Sequence, residues 1–145
     1  MFNFNYRARV SDPTGQDVCA LLNPTGNEMR VMVKKAVITT TSKARVIMIM
    51  RKDGAVNEDE TVLENVISAS DPENKEVPVA VPIYRPDMPE PWESARYFTI
   101  GDASLGMIVG PADDVVIPPG YRLGFRIIPY EVGQSVTIDV NFMQK

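Results

Sequence analysis

Few residues in this chain have the chemistry for catalysis. There is no histidine and a single cysteine, Cys19. Without histidine, the commonest general base and metal ligand at neutral pH is missing, and with it the Ser-His and Cys-His nucleophile pairs. A zinc site built from thiolates and imidazoles is excluded on the same ground. What remains is carboxylate chemistry. Asp113-Asp114 and Glu58-Asp59-Glu60 offer oxygens to a hard cation such as calcium, but neither follows the spaced-oxygen pattern of a calcium loop, and both read as solvated turns. A carboxylate pair for glycoside hydrolysis need not be close in sequence, and no pair is singled out by its surroundings. Gly101, Gly106 and Gly110 do not make a phosphate loop, because no Lys-Ser/Thr follows and no helix is opened. Cys19 lies in the apolar run Val18-Cys19-Ala20-Leu21-Leu22, where it serves as a small buried hydrophobe. As the lone cysteine it forms no internal disulfide, which fits a reducing compartment.

The chain that must position these groups has 145 residues, 44% hydrophobic and 23% charged. That length fits one domain with a sizeable core. The formal net charge is −4, and the basic residues are scattered, with no run longer than two, as at Lys34-Lys35. Phosphate backbones need a basic stripe, so no nucleic-acid partner is expected. No apolar stretch approaches a membrane span and no signal peptide is visible, so no membrane association is expected and the chain reads as made in the cytoplasm.

The dominant period is two, the signature of strands. Phe2, Phe4, Tyr6, Ala8 and Val10 point one way, and Asn3, Asn5, Arg7 and Arg9 the other. This segment is a half-buried strand, or an arm laid on a neighbour, ending at the turn Asp12-Pro13-Thr14-Gly15. Residues 18–22 form a short strand, turned by Asn23-Pro24-Thr25-Gly26-Asn27. Residues 30–41 and 43–51 are rich in Val, Ile, Thr and Met, with Thr41-Ser42-Lys43 as a hairpin-like junction. Val46-Ile47-Met48-Ile49-Met50 is apolar on both faces, which predicts a central strand covered on both sides; Lys52-Asp53-Gly54 closes it.

Residues 62–68 fit a strand or one helical turn, and Asp71-Pro72-Glu73-Asn74-Lys75 a loop. Pro78 and Pro82 make 77–84 an edge strand or an extended arm. Five prolines lie from Pro78 to Pro91, so this stretch is stiff and has little entropy to lose on docking. Residues 92–100 begin as a helical turn and end as a strand. Short strands follow at 105–109 and 115–117, separated by the turn Pro111-Ala112-Asp113-Asp114. Pro118-Pro119-Gly120 turns the chain again. In the last two strands Tyr121, Leu123, Phe125 and Ile127 share one face, as do Val136, Ile138, Val140 and Phe142, with Val132-Gly133-Gln134 between them. Eight to ten short strands with Gly/Pro turns predict an all-β antiparallel sandwich, jelly-roll-like, spanning 1–145 as one domain, with an N-terminal arm at 1–12 and a proline-rich arm at 77–92.

Trp92 is the only tryptophan. It follows Pro89-Glu90-Pro91, and an aromatic beside a stiff arm has the character of a docking anchor. The competing reading packs Trp92 over the end of its own sandwich. The candidate partner-binding residues are therefore Phe2, Phe4, Tyr6, Pro82, Tyr84, Pro86, Pro89, Pro91 and Trp92. No cofactor or metal is assigned.

Two segments resemble small virion structural proteins of tailed bacteriophages. The first is Leu21-Leu22-Asn23-Pro24-Thr25-Gly26-Asn27 leading into Val31-Met32-Val33-Lys34-Lys35-Ala36-Val37-Ile38-Thr39, a strand ending in an Asn-Pro-x-Gly turn that feeds a β-hairpin. The second is Val116-Ile117-Pro118-Pro119-Gly120-Tyr121 with the terminal strand Val136-Thr137-Ile138-Asp139-Val140-Asn141-Phe142. Where such proteins often carry a tryptophan after the final Asn-Phe, this chain has Met143. The resemblance implies a non-enzymatic virion protein, a capsid decoration or cement protein on the outside of a phage head, with the major capsid protein or other virion subunits as partners. The alternative is a receptor- or carbohydrate-binding module of a tail or fibre. Exposed sheet edges favour a homo-oligomer, and the jelly-roll analogy points to a trimer.

Overall fold

Period-two alternation sends every second side chain of Phe2–Val10 to one side of the backbone. In the computed structural model, which describes residues 1–64, 67–69, 76–102, 104–110 and 112–145, that side faces an interior shared by two antiparallel sheets. The described residues form twelve strands: β1 (Phe2–Val10), β2 (Gln16–Asn23), β3 (Val31–Thr40), β4 (Ala44–Arg51), β5 (Thr61–Val62), β6 (Ile67–Ala69), β7 (Val81–Tyr84), β8 (Ser94–Ile100), β9 (Leu105–Val109), β10 (Val115–Ile117), β11 (Tyr121–Pro129) and β12 (Gln134–Gln144). Sheet A runs β10-β3-β12-β1-β6, with β9 also on β3; sheet B runs β5-β7-β2-β11-β4-β8. The fold is an all-β antiparallel sandwich, jelly-roll-like in that successive long strands alternate between the sheets, β1, β3 and β12 in sheet A and β2, β4 and β11 in sheet B.

The core joins both sheets. Phe4, Val10, Ile38, Val136, Ile138, Val140 and Phe142 come from sheet A, and Val18, Val46, Leu123, Phe125 and Ile127 from sheet B. The two faces read from the last strands are the ones buried, although β11 and β12 lie in different sheets. Cys19 is fully buried, and burial pushes its thiol far above the ordinary range.

Three turns expected separately meet at one end of the sandwich. Asn23 is fully buried, and its Nδ2 donates to the carbonyls of Met29 (2.9 Å) and Ile117 (2.8 Å). The Thr25 amide donates to Gly54 O at 3.1 Å, and the Gly120 amide to Asn23 O at 2.8 Å. A Cβ on Gly54 would lie 2.7 Å from the Gly120 Cα, so the Asp-Gly turn needs glycine for close backbone approach.

Several expectations are corrected. The junction 41–43 is not a hairpin: β3 belongs to sheet A and β4 to sheet B. The connection crosses between sheets, held by the Thr41 amide on Ser135 O (3.1 Å) and the Lys43 amide on Asp102 Oδ1 (2.7 Å). The Asn-Pro-x-Gly turn likewise leads from sheet B into sheet A and feeds no hairpin. The N-terminal segment is not an arm, because β1 pairs over nine residues with β12 and on its other side with β6. Residues 81–84 are not an edge: β7 lies between β2 and β5, and Pro82 pairs with Leu21. No helical turn opens 92–100, where Ser94–Ile100 is strand throughout. Residues 62 and 67–68 are strand, in different sheets. The loop expected at Asp71-Pro72-Glu73-Asn74-Lys75 and the Pro111 of the second acidic turn lie outside the described residues.

Candidate functional site

The outward face of sheet B is not solvated. Ala20 of β2 and Ile47 and Ile49 of β4 point away from the core, yet all three are buried. Segments 52–60 and 85–93 of the same chain cover this side of the sheet. Met88, 1% exposed, lies over Gly124 of β11, and Trp92, Ala95 and Ile128 complete the cluster. A Cβ on Gly124 would stand 2.6 Å from Met88 Cε and 2.9 Å from its Sδ, so the absence of a side chain there makes the seat for Met88. Trp92 Nε1 donates to Met88 O at 3.0 Å, folding the proline segment onto itself. Trp92 thus packs over its own sandwich.

Three arginines on outward positions of β4 and β11 fasten the cover. Arg51 Nη1 donates to Pro89 O (2.7 Å) and Pro91 O (3.3 Å). Arg126 donates through Nε and Nη2 to the two oxygens of Asp17 (2.7 and 3.2 Å) and through Nη2 to Met88 O (3.2 Å), with its guanidinium 5.2 Å from the Trp92 ring. The hydrogen bonds to Asp17 hold the Arg126 proton more tightly than usual, outweighing desolvation. Arg122 is fully buried. Its Nε and Nη2 donate to Asp53 O (3.2 Å) and Ala55 O (2.5 Å), Nη2 lies 3.5 Å from Asp53 Oδ2, and Nη1 donates to Glu60 Oε2.

Glu60 links the two covering segments. Its Oε1 accepts the Asn57 amide at 2.7 Å, and its Oε2 accepts the Asp87 amide at 2.5 Å as well as Arg122. Desolvation on its own raises this carboxyl's pKa. The hydrogen bonds from Arg122, Asn57 and Asp87, with the Arg122 charge, prevail and hold it below the ordinary glutamate range. Arg51 and Arg122 stand directly opposite each other across β4 and β11, where like charges repel unless each finds its own partners. Carbonyls and carboxylates of the covering segments are those partners.

The nominated contact residues do not form one surface. Phe2 and Phe4 are 2% and 0% exposed and belong to the core, with the Phe2 ring 5.4 Å from that of Phe142. Tyr6 and Tyr84 are half-buried and pack on each other. Pro82 and Pro86 are buried, and Trp92 is half-buried; Pro89 and Pro91 alone are exposed. Docking through Phe2 and Phe4 is therefore closed to the folded chain, because their rings already fill its interior.

Of the acidic turns, Glu58 and Asp59 are exposed while Glu60 turns inward, and Asp114 pairs with Lys34. Among the described residues no group of three or more potential metal ligands is assembled. A groove of about 380 Å³ opens between the edges of the sheets, lined by Phe2, Leu63, Ile67, Ala80 and Pro82, with Glu64 and Glu76 beside them. A cleft of about 570 Å³ runs between Glu58, Asp59, Arg85 and Asp87.

Sequence reasoning missed Asp17, Arg51, Glu60 in its inward role, Arg122 and Arg126. One signal for them was present. A central strand apolar on both faces requires a cover, and isolated arginines at outward positions beside it are the groups able to hold one.

Compared with protein-family models, with curated proteins and with solved structures, the chain finds no match.

Proposed function

We propose that this chain is a non-enzymatic virion structural protein, a decoration or cement subunit that binds the outside of a phage head and stabilises it. The observation that carries this reading is the fastening of the proline segment. Pro89-Glu90-Pro91 is presented to solvent while Arg51 and Arg126 grip the Met88, Pro89 and Pro91 carbonyls from beneath. A contact ridge fixed before docking has little conformational entropy left to lose, so more of the contact energy appears as affinity. The resemblance of the 21–39 and 116–142 segments to phage virion proteins supports the same reading and supplies the major capsid protein as partner.

The alternative, a carbohydrate-binding module of a tail or fibre, needs aromatic rings grouped in a shallow site. Here Tyr84 packs on Tyr6, Trp92 lies against Arg126, and Tyr130 sits beside Lys43. Trp92 and Tyr84 are half-buried, and the exposed rings, Tyr97 and Tyr130, stack on no other ring among the described residues, which favours the decoration reading.

The test is to add the purified chain to heads of the parent phage that lack it and to image them by cryo-electron microscopy. Expected are density on the outer shell and a higher melting temperature of the heads. Pro89→Ala should weaken attachment while leaving the chain's own unfolding curve nearly unchanged. Heads that never acquire the chain, or density at the tail alone, would overturn the proposal; glycan-array binding would then favour the alternative.

A further inference from the structure

The two sheets treat their outward charges differently. On sheet B, Arg51, Arg122 and Arg126 are taken up by the covering segments. No segment among the described residues covers sheet A, where Arg7 and Arg9 of β1, Lys35 of β3, Leu105 and Met107 of β9 and Val116 of β10 are all exposed. Arg30 and Lys145, also exposed, pair through reciprocal backbone hydrogen bonds of 3.0 Å at the end of the β3–β12 ladder. Val31, next to Arg30, fills the core, so alternation turns this cation pair outward.

Arg7, Arg9, Arg30, Lys35 and Lys145 thus share one face, and among the described residues none of them has an ion-pair partner. Cations scattered in the sequence are gathered by the β1–β12–β3 ladder. Lys34 is already paired with Asp114, and Asp139, the carboxylate carried by β12, takes Asn3 Nδ2 at 2.6 Å. An apolar row runs beside the cations. Leu105, Met107 and Val116 stand opposite Thr39, Val37 and Met32 along one side of β3 and are 64%, 53% and 40% exposed. Val37 is buried without belonging to the interior cluster, which places it under this row on the outer face.

We infer that the outward face of sheet A docks an acidic amphipathic segment of a partner protein, its apolar side on the β9–β10 row and its carboxylates over the cations of β3, β12 and β1. Charge complementarity fixes the register and speeds encounter, and the apolar row supplies area to bury. Nucleic acid fits this face less well. An apolar row has no counterpart on a phosphate backbone, and the net charge of −4 repels a long polyanion. Single-stranded bases stack on aromatic rings, and no outward position of β1, β3, β9, β10 or β12 carries one. The inference stands apart from the virion reading: it needs no particle, and it uses the sheet on the far side of the sandwich from the proline ridge.

Fluorescence anisotropy of a labelled helical peptide, with leucines on one side and glutamates on the other, titrated with the full chain, tests it. Binding should saturate and weaken about tenfold or more between about 50 and 300 mM salt, as screening of exposed charges requires. Arg7→Glu with Lys35→Glu should weaken it about tenfold or more at low salt. Met107→Ser, which removes apolar contact and no charge, should weaken it at both salt concentrations. Each variant alters exposed positions and should keep the wild-type unfolding curve. Arg45→Glu with Arg96→Glu makes the same change in net charge at two exposed cations of sheet B, and should leave binding within about twofold of the wild type. Absence of saturable binding, an equal loss from the sheet B pair, or duplex DNA binding this face more tightly than the peptide would each overturn the inference. So would a dimer in sedimentation velocity that Arg7→Glu with Lys35→Glu dissolves, since the face would then belong to a second copy.

Discussion

Tyr6 of β1 and Tyr84 of β7 meet ring to ring across the two sheets, with centroids 5.3 Å apart and planes tilted by 51°. Residues that the sequence assigns to two separate contact arms therefore close the sandwich on each other. Burial and the neighbouring Tyr84 push the Tyr6 hydroxyl up to about 12. A folded pKa above the unfolded value of about 10 contributes stability that is complete below pH 10 and is lost as pH rises towards 12. One tyrosine should ionise late in an ultraviolet titration. Tyr6→Phe should remove that late step and flatten the alkaline fall in stability measured by urea unfolding; an unchanged titration would refute the assignment.

The burial of Phe2 and Phe4 changes what an N-terminal truncation does. If residues 1–10 were an arm, their removal would leave a folded sandwich unable to attach. Because β1 lies between β12 and β6, deletion strips a strand from the middle of sheet A, and the product should be insoluble or lack a cooperative transition. Phe4→Ala alone should cost about 3–5 kcal/mol by denaturant unfolding, the range for emptying a buried phenylalanine site. A truncated chain with a native-like unfolding curve would return β1 to the status of an arm.

The Arg122–Glu60 pair should dominate the acid side of the stability profile. Removing one partner of a buried pair strands the other, and Arg122→Met should cost roughly 3–5 kcal/mol. Arg122→Met with Glu60→Leu should recover part of that loss, because no lone charge is left buried. Glu60 is held below its ordinary pKa, so its contribution is present above about pH 4.3, the unfolded value, and is lost as pH falls through the folded one. Urea midpoints measured from pH 7 down to pH 3 should fall steeply for the wild type and more gently for Glu60→Gln. Parallel profiles would show that Glu60 is not the group responsible.

Alternation made the sheets legible. It gave the inward faces of β1, β11 and β12 residue by residue, and the doubly apolar Val46-Ile47-Met48-Ile49-Met50 revealed that β4 is covered on both sides. Sheet membership was not legible, because a strand buries the same face whether its chain neighbour lies beside it or across the core; β3 and β4 could not be told from a hairpin by pattern. The proline segment misled for a related reason. Stiffness and an aromatic neighbour describe a free arm and a clamped cover equally well, and the groups that decide, Arg51, Arg122 and Arg126, lie at 38 or more residues from their carbonyl acceptors.

Cys19 should be chemically silent while the fold is intact. It is fully buried and its thiol is pushed far up by desolvation, so little thiolate is available to react. A disulfide-exchange reagent should label it only in denaturant, with the labelling rate following the fraction unfolded. Fast labelling of the native chain would mean that β2 opens locally, and would point to a weak seam between β2 and its neighbours β7 and β11.

The seat of Met88 on Gly124 is where sheet and cover can be uncoupled with the least disturbance to the core. A methyl group on Gly124 would enter the space of Met88 Cε and Sδ, and Met88 is too deeply buried to swing aside without moving the proline segment. Gly124→Ala should therefore cost about 1–3 kcal/mol, as overpacking does. Met88→Ala should also destabilise, by opening a cavity over the outward face of sheet B. Together the two changes should fit each other, the new methyl occupying room left by the shortened side chain, so the double variant should be more stable than the sum of the single losses by at least about 0.5 kcal/mol. Trp92 fluorescence gives a local readout, since its indole donates to the Met88 carbonyl: Gly124→Ala should red-shift the emission and the double variant should reverse part of that shift. Strict additivity in the unfolding energies, with no fluorescence change, would mean that the proline segment does not rest on Gly124 through Met88.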